Sequence, residues 1–160
     1  MRGVLSIYYS FLGKDSLKKN LRYKLSFLII IINLTIGGFL LSTILYGVNY
    51  ALAGIAATLI PGLLFIFFTA FLTHLILKFF SQKSFEHTLS SYAMATIPAI
   101  LSWIPFVYFI AVILSLFVLI KGLSLQHHIK WYKALFSLII VAAISYLLML
   151  FLGYLLGGSA

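Results

Sequence analysis

Three long runs of this chain carry no charged residue: Leu25 to Leu77, Thr88 to Ile120, and Ala134 to Ala160. Short polar and basic stretches separate them. A helix that crosses the hydrocarbon core of a bilayer needs about 20 apolar residues. The first run is long enough for two crossings, and its fold-back is predicted at Gly47-Val48-Asn49-Tyr50. Glycine and asparagine suit a turn there, and a tyrosine suits the membrane interface. The pattern therefore predicts spans over 25–46 and 51–77, the second with room to tilt or to kink at Pro61-Gly62.

The middle run is less regular. As one helix it would reach about 50 Å, well beyond a core of about 30 Å. Proline disfavours helix in the residue before it, so Trp103-Ile104-Pro105 offers a break into two short helices, 88–103 and 106–120. A re-entrant hairpin is the alternative for this pair. The last run predicts a single span over 134–156.

Charge placement chooses between four crossings and five. With five, the chain starts inside and ends outside, and all eleven Lys and Arg residues fall on the inner side. With four, Lys121, Lys130 and Lys133 would lie outside, against the tendency of basic residues to remain in the cytoplasm. The expected fold is thus an all-α, polytopic bundle of five transmembrane helices, N-terminus inside and C-terminus outside. A basic segment, 1–24, precedes the transmembrane domain, 25–160. Val4, Leu5, Ile7, Tyr8, Tyr9, Phe11 and Leu12 in that segment read either as an amphipathic helix on the inner leaflet or as a tail held down by its aromatics. Arg2 is followed by only a short apolar stretch without a small-residue cleavage site, so the first span is expected to act as an uncleaved anchor.

Composition agrees with this picture. The chain is 64% hydrophobic and 8% charged, where a soluble domain carries roughly 25% charged residues. Its two acidic residues, Asp15 and Glu86, cannot furnish a water-facing surface. The net charge of +9 sits beside apolar runs, the arrangement of juxtamembrane anchors rather than of a nucleic-acid surface. Lys14, Lys18, Lys19, Arg22 and Lys24 are accordingly expected to meet anionic lipid headgroups, with no nucleic acid as partner. The expected location is the plasma membrane, with several passes. No cysteine is present, which excludes disulfides and thiolate chemistry.

Candidate chemistry is sparse. His74 is the single ionisable side chain, tyrosines apart, within a predicted span. It lies one turn before Lys78, so it reads either as an interfacial polar residue or as part of a proton or cation relay with Glu86 and His87. Gln126-His127-His128 adds two more histidines on the same membrane face. Histidine with carboxylate suits zinc-like metals, yet the spacing matches no metal-ligand pattern, and neither a metal site nor a cofactor is expected. No Ser–His–Asp arrangement is present, so no catalytic residue is nominated. Small residues at Gly37-Gly38 with Ser42, Ala53-Gly54-Ile55-Ala56-Ala57, Ala95 with Ala99, and Gly153 with Gly157 allow close helix approach. That approach serves packing within the bundle, or association with a second copy or another membrane protein. Pro61 and Pro98 free backbone carbonyls inside spans, as kinks or as linings of a substrate pocket.

One arrangement is more specific. Ser84-Phe85-Glu86 is followed by Tyr92 and by Pro98 six residues later. Ile104-Pro105 comes next, then a span ending Lys121-Gly122-Leu123-Ser124-Leu125-Gln126-His127, then Lys133-Ala134. This succession resembles the Yip1 domain family, in which a polar loop leads to a third helix bearing Tyr and Pro. A short fourth helix there ends in a Gly-Leu-x-x-x-His-like stretch, and a Lys-Ala or Arg-Ala pair opens the fifth. The resemblance implies five helices, a cytoplasmic N-terminus and a non-enzymatic membrane protein concerned with membrane organisation or with protein and lipid interaction. It also singles out Glu86, Tyr92, Pro98, Gly122 and His127, beside His74 and His87. Eukaryotic members act in vesicle trafficking and contact small GTPases. This chain looks more like the compact prokaryotic type, and its first 24 residues lack the proline common before the first helix. A small transporter or channel subunit with a path near His74 and Glu86 is the alternative reading.

Overall fold

The computed structural model describes residues 19–104 and 107–157, with side chains described over 23–101, at 104, and over 107–154. The expected amphipathic segment and the headgroup contacts of Lys14, Lys18, Lys19 and Arg22 lie outside the residues whose side chains are described. Five α-helices follow in order: α1 (Lys19–Tyr46), α2 (Ala51–Leu77), α3 (Phe85–Ala99), α4 (Tyr108–His127) and α5 (Trp131–Gly157). Short 3-10 turns, Val48–Tyr50 and Ile100–Trp103, precede α2 and follow α3. No strand occurs among the described residues.

Both predicted breaks are present. Gly47 has φ 90°, open to glycine without strain, and the Tyr50 N–H donates to its carbonyl at 3.1 Å. Ile104 is extended, φ −91° and ψ 113°, the conformation that a following proline demands. α2 runs unbroken through Pro61.

The helix ends differ from expectation by several residues. α1 starts at Lys19 rather than 25, α3 at Phe85 rather than 88, and α4 continues to His127 rather than 120. Backbone hydrogen bonding continues into the polar interface, because the i→i−4 ladder does not depend on side-chain polarity. α4 stops where His128 turns left-handed, φ 53°. There the Ile129 N–H returns to the Ser124 carbonyl at 3.0 Å, a Schellman-type closure.

Among the described residues four segments are long and apolar enough to cross a membrane: Tyr23–Tyr46, Val48–Leu77, Tyr108–His127 and Trp131–Tyr154. The helix expected over 88–103 is α3, with 15 residues, and it falls short of that length. It is also the most enclosed. From Glu86 to Ala95 every residue is buried, against α1, α2 and α4. Ile30, Ala70, Leu89, Tyr92 and Ala93 form the central core, and Met94 with Val118 continues it.

α1 and α2 form an antiparallel hairpin. Gly38 and Gly54 let their backbones meet: a methyl group built on Gly38 would collide with Thr58 and lie 2.8 Å from the Gly54 carbonyl. One built on Gly54 would strike Ser42 and lie 2.8 Å from the Gly38 carbonyl. Thr58 exploits the approach, its hydroxyl lying 3.0 Å from the Gly54 carbonyl in its own helix and 3.3 Å from the Leu34 carbonyl across the interface. α5 is held differently. Ala134, Ser137 and Val141 are buried, with Ala134 in a cluster with Leu77 and Leu123. From Ala142 to Tyr154 every residue except Ser145 is exposed.

Gly54→Leu is expected to force the α1–α2 hairpin apart and to cost about 1–3 kcal/mol, the usual range for overpacking. Gly153→Leu, where an added Cβ meets nothing within 4 Å, should leave stability unchanged. Thermal unfolding of the two variants in detergent measures the contrast. Equal melting temperatures would mean that the close approach contributes nothing.

Candidate functional site

At one end of the bundle, turns of α2, α3 and α4 bring together most of the buried polar side chains among the described residues. In α2, Thr69, Thr73, His74 and Leu77 recur at three- and four-residue intervals and so share one face. α3 meets that face with Thr88 and Tyr92, which are four residues apart. α4 contributes Gly122, Leu123, Gln126 and His127, all buried.

Thr88 is the hub. Its hydroxyl lies 3.2 Å from His74 Nδ1 on α2 and 2.9 Å from His127 Nε2 on α4. A hydroxyl has one proton, so it can donate to no more than one ring, and at least one imidazole N–H must donate to it. Three helices are therefore linked through one oxygen. A second tie joins α3 to α4, with His87 Nδ1 2.9 Å from Gln126 Oε1. The amide oxygen can only accept, so the His87 ring nitrogen donates.

One turn deeper, the Tyr92 hydroxyl donates to the Thr69 carbonyl at 3.3 Å and lies 2.7 Å from Thr73 Oγ1. Asn33 Nδ2 donates to Thr96 Oγ1 at 2.6 Å and links α1 to the same helix. Ser90 and Ser91 both donate to the His87 carbonyl at 3.0 Å.

The rings pack as well as bond. His74 stands edge-on to Phe85, with centroids 5.6 Å apart. His127 lies 6.3 Å from both His74 and His87. Glu86 is 5% exposed and within electrostatic reach of His74. His127 is 3% exposed, and its Nδ1 has no hydrogen-bond partner among the described residues. Among those residues no three His, Cys, Asp or Glu side chains converge in a way that fits a metal ion. The arrangement can fasten helices together, and its imidazole–hydroxyl–imidazole chain has the groups needed to pass a proton.

The residues singled out from the sequence divide as follows. His74 and His127 join through Thr88, His87 bonds Gln126, and Tyr92 bonds Thr73 and Thr69. Glu86 lies in the first turn of α3, and Gly122 is buried on α4 one turn before Gln126. Pro98 sits in the last turn of α3, away from the cluster, and His128 is exposed. Thr88 is not among them, because in the sequence it reads as the first residue of an apolar run. The signal for it was the Thr88–Tyr92 spacing on the helix that follows the polar loop.

The family model described as the Yip1 domain matches residues 6–152, nearly the whole chain. No curated protein and no solved structure matches it.

Thr88→Val keeps the volume and removes the hydroxyl, leaving two buried imidazole nitrogens without that partner. The expected loss is about 1–3 kcal/mol of stability, while Thr88→Ser, which keeps the oxygen, should recover most of it. Chemical or thermal unfolding in detergent compares the three proteins. If valine and serine behave alike, the hydroxyl does not hold the helices.

Proposed function

This chain belongs to the Yip1 domain family, and from that premise we propose that it is a non-enzymatic protein of the plasma membrane that organises lipid or partner proteins around it. The observation that carries the reading is the use made of polar side chains. On α3, His87, Thr88 and Tyr92 are spent on bonds to α2 and α4, and Thr96 is bonded from α1. Such bonds favour a fixed bundle whose working surface is its outside. That outside is broadly apolar, with exposed Phe65, Phe71, Phe109, Ile113, Phe136 and Tyr154 among its large residues.

The same reading takes α3 as the third of five crossings. α3 and the 3-10 turn that continues it, residues 85–103, extend about 30 Å at roughly 1.5 and 2.0 Å per residue. That matches a hydrocarbon core. Being enclosed by α1, α2 and α4, the segment needs less apolarity than a lipid-facing span. Five crossings put every Lys and Arg on the cytoplasmic side and the C-terminus outside.

The His74–Thr88–His127 chain, with Glu86 close by, favours a second reading, a small transporter or channel subunit that moves protons or cations.

Two measurements test these statements. A topology reporter after Ala160 should read external and one between Ser81 and His87 internal; an internal C-terminus would remove the five-crossing arrangement. Purified protein in proteoliposomes should give no proton or cation flux above empty vesicles. Flux that disappears in the His74→Ala, Glu86→Gln double variant would overturn the organising role in favour of the transporter.

A further inference from the structure

The described basic side chains gather at one end of the bundle. Lys78 closes α2, Lys83 precedes α3, Lys121 lies near the end of α4, and Lys130 and Lys133 flank the start of α5. The single acidic side chain described at that end, Glu86, is buried. The exposed charge there is therefore of one sign.

Part of this collar is pre-arranged. Lys133 Nζ lies 5.1 Å from the centroid of Phe80, which brings the first turn of α5 onto the α2–α3 turn. Lys130 Nζ lies 6.0 Å from the ring of Tyr132. Phe79, next to Phe80 in the chain, is 86% exposed, and Trp131, between the two lysines in sequence, is 56% exposed. Aromatic rings favour the boundary between headgroups and acyl chains, and ammonium groups favour lipid phosphate. Below them, Phe136 and Ile139 continue an exposed apolar path along α5.

We propose that Lys130 and Lys133, with Phe79, Phe80 and Trp131, form a site for one anionic phospholipid. Its phosphate lies between the two ammonium groups, and its acyl chains lie along α5. Charge selects this occupant. A second copy would present the same positive collar and be repelled, whereas a phosphodiester bearing two acyl chains matches both the lysines and the apolar path below them. The site adds a function to the α5 attachment, because α5 is buried against the bundle only through its first half. A bound lipid holds the base of that helix to the α2–α3 turn. The proposal rests on a membrane location and not on the number of crossings.

The test uses the full chain in phosphatidylcholine nanodiscs with increasing phosphatidylglycerol. Bound lipid is counted by native mass spectrometry, and unfolding temperature is read in parallel. The wild type should retain one phosphatidylglycerol and melt higher as its fraction rises. Lys130→Gln with Lys133→Gln should weaken retention on the order of tenfold and abolish the thermal gain. Lys83→Gln with Lys121→Gln removes the same charge elsewhere at that end and should cost much less. Equal losses in the two double variants would overturn the site in favour of diffuse attraction. An equal thermal gain from inorganic phosphate alone would overturn the lipid as its occupant. Should the Lys130, Lys133 double variant fail to fold, Lys130→Gln alone carries the same comparison against Lys121→Gln. A flux result that overturned the organising role would leave this outcome untouched.

Discussion

A polar side chain surrounded by lipid has no solvent to fall back on, so it must find its partner inside the protein. In this bundle that constraint falls on α3. Its first half carries Glu86, His87, Thr88, Ser90, Ser91 and Tyr92, all buried. Each hydroxyl and ring there bonds a neighbouring helix or its own turn, and those bonds fix which faces of α2 and α4 turn inward. Leu89, Ala93 and Met94 complete the contact with apolar packing. The geometry of the other helices follows from where α3 must be enclosed.

The α1–α2 hairpin solves the same problem by other means. Helices in lipid gain no hydrophobic drive from meeting one another, so close packing has to supply the attraction. Gly38 and Gly54 remove the atoms that would hold the backbones apart, and Ser42 and Thr58 fill the narrow seam. Their hydroxyls stay bonded to backbone carbonyls, which makes these polar residues tolerable at an apolar interface.

The sequence made the helix count and the turns legible, because charge-free runs and the Gly47 and Pro105 breaks are strong signals. Helix ends were less so. Lys19–Lys24 and Leu123–His127 are helical although polar or interfacial, since backbone bonding continues where apolarity stops. The site was legible in part. The sequence places the four histidines at the ends of neighbouring helices, but nothing in their spacing separates His127, buried at the hub, from His128, exposed one residue later at the left-handed cap. Thr88 was hidden by its ordinariness. A threonine is common in a membrane helix, and only the positions of His74 and His127 in space give its hydroxyl two partners. Likewise, small residues at Gly38–Gly54 serve contact within the chain, while Gly153 meets nothing, and their spacing alone does not tell the two cases apart.

The exposed C-terminal half of α5 has a consequence for the surrounding bilayer. A helix segment without protein neighbours must be wrapped by its own ring of acyl chains. A segment packed into a bundle shares one ring with the others. Exposed in this way from Ala142 to Tyr154, the helix would order more lipid per residue there than at the basic end of the bundle. Boundary lipid would then be shared unequally along α5, and a change in lateral pressure at one end of the helix would act on it with a different leverage from a change at the other.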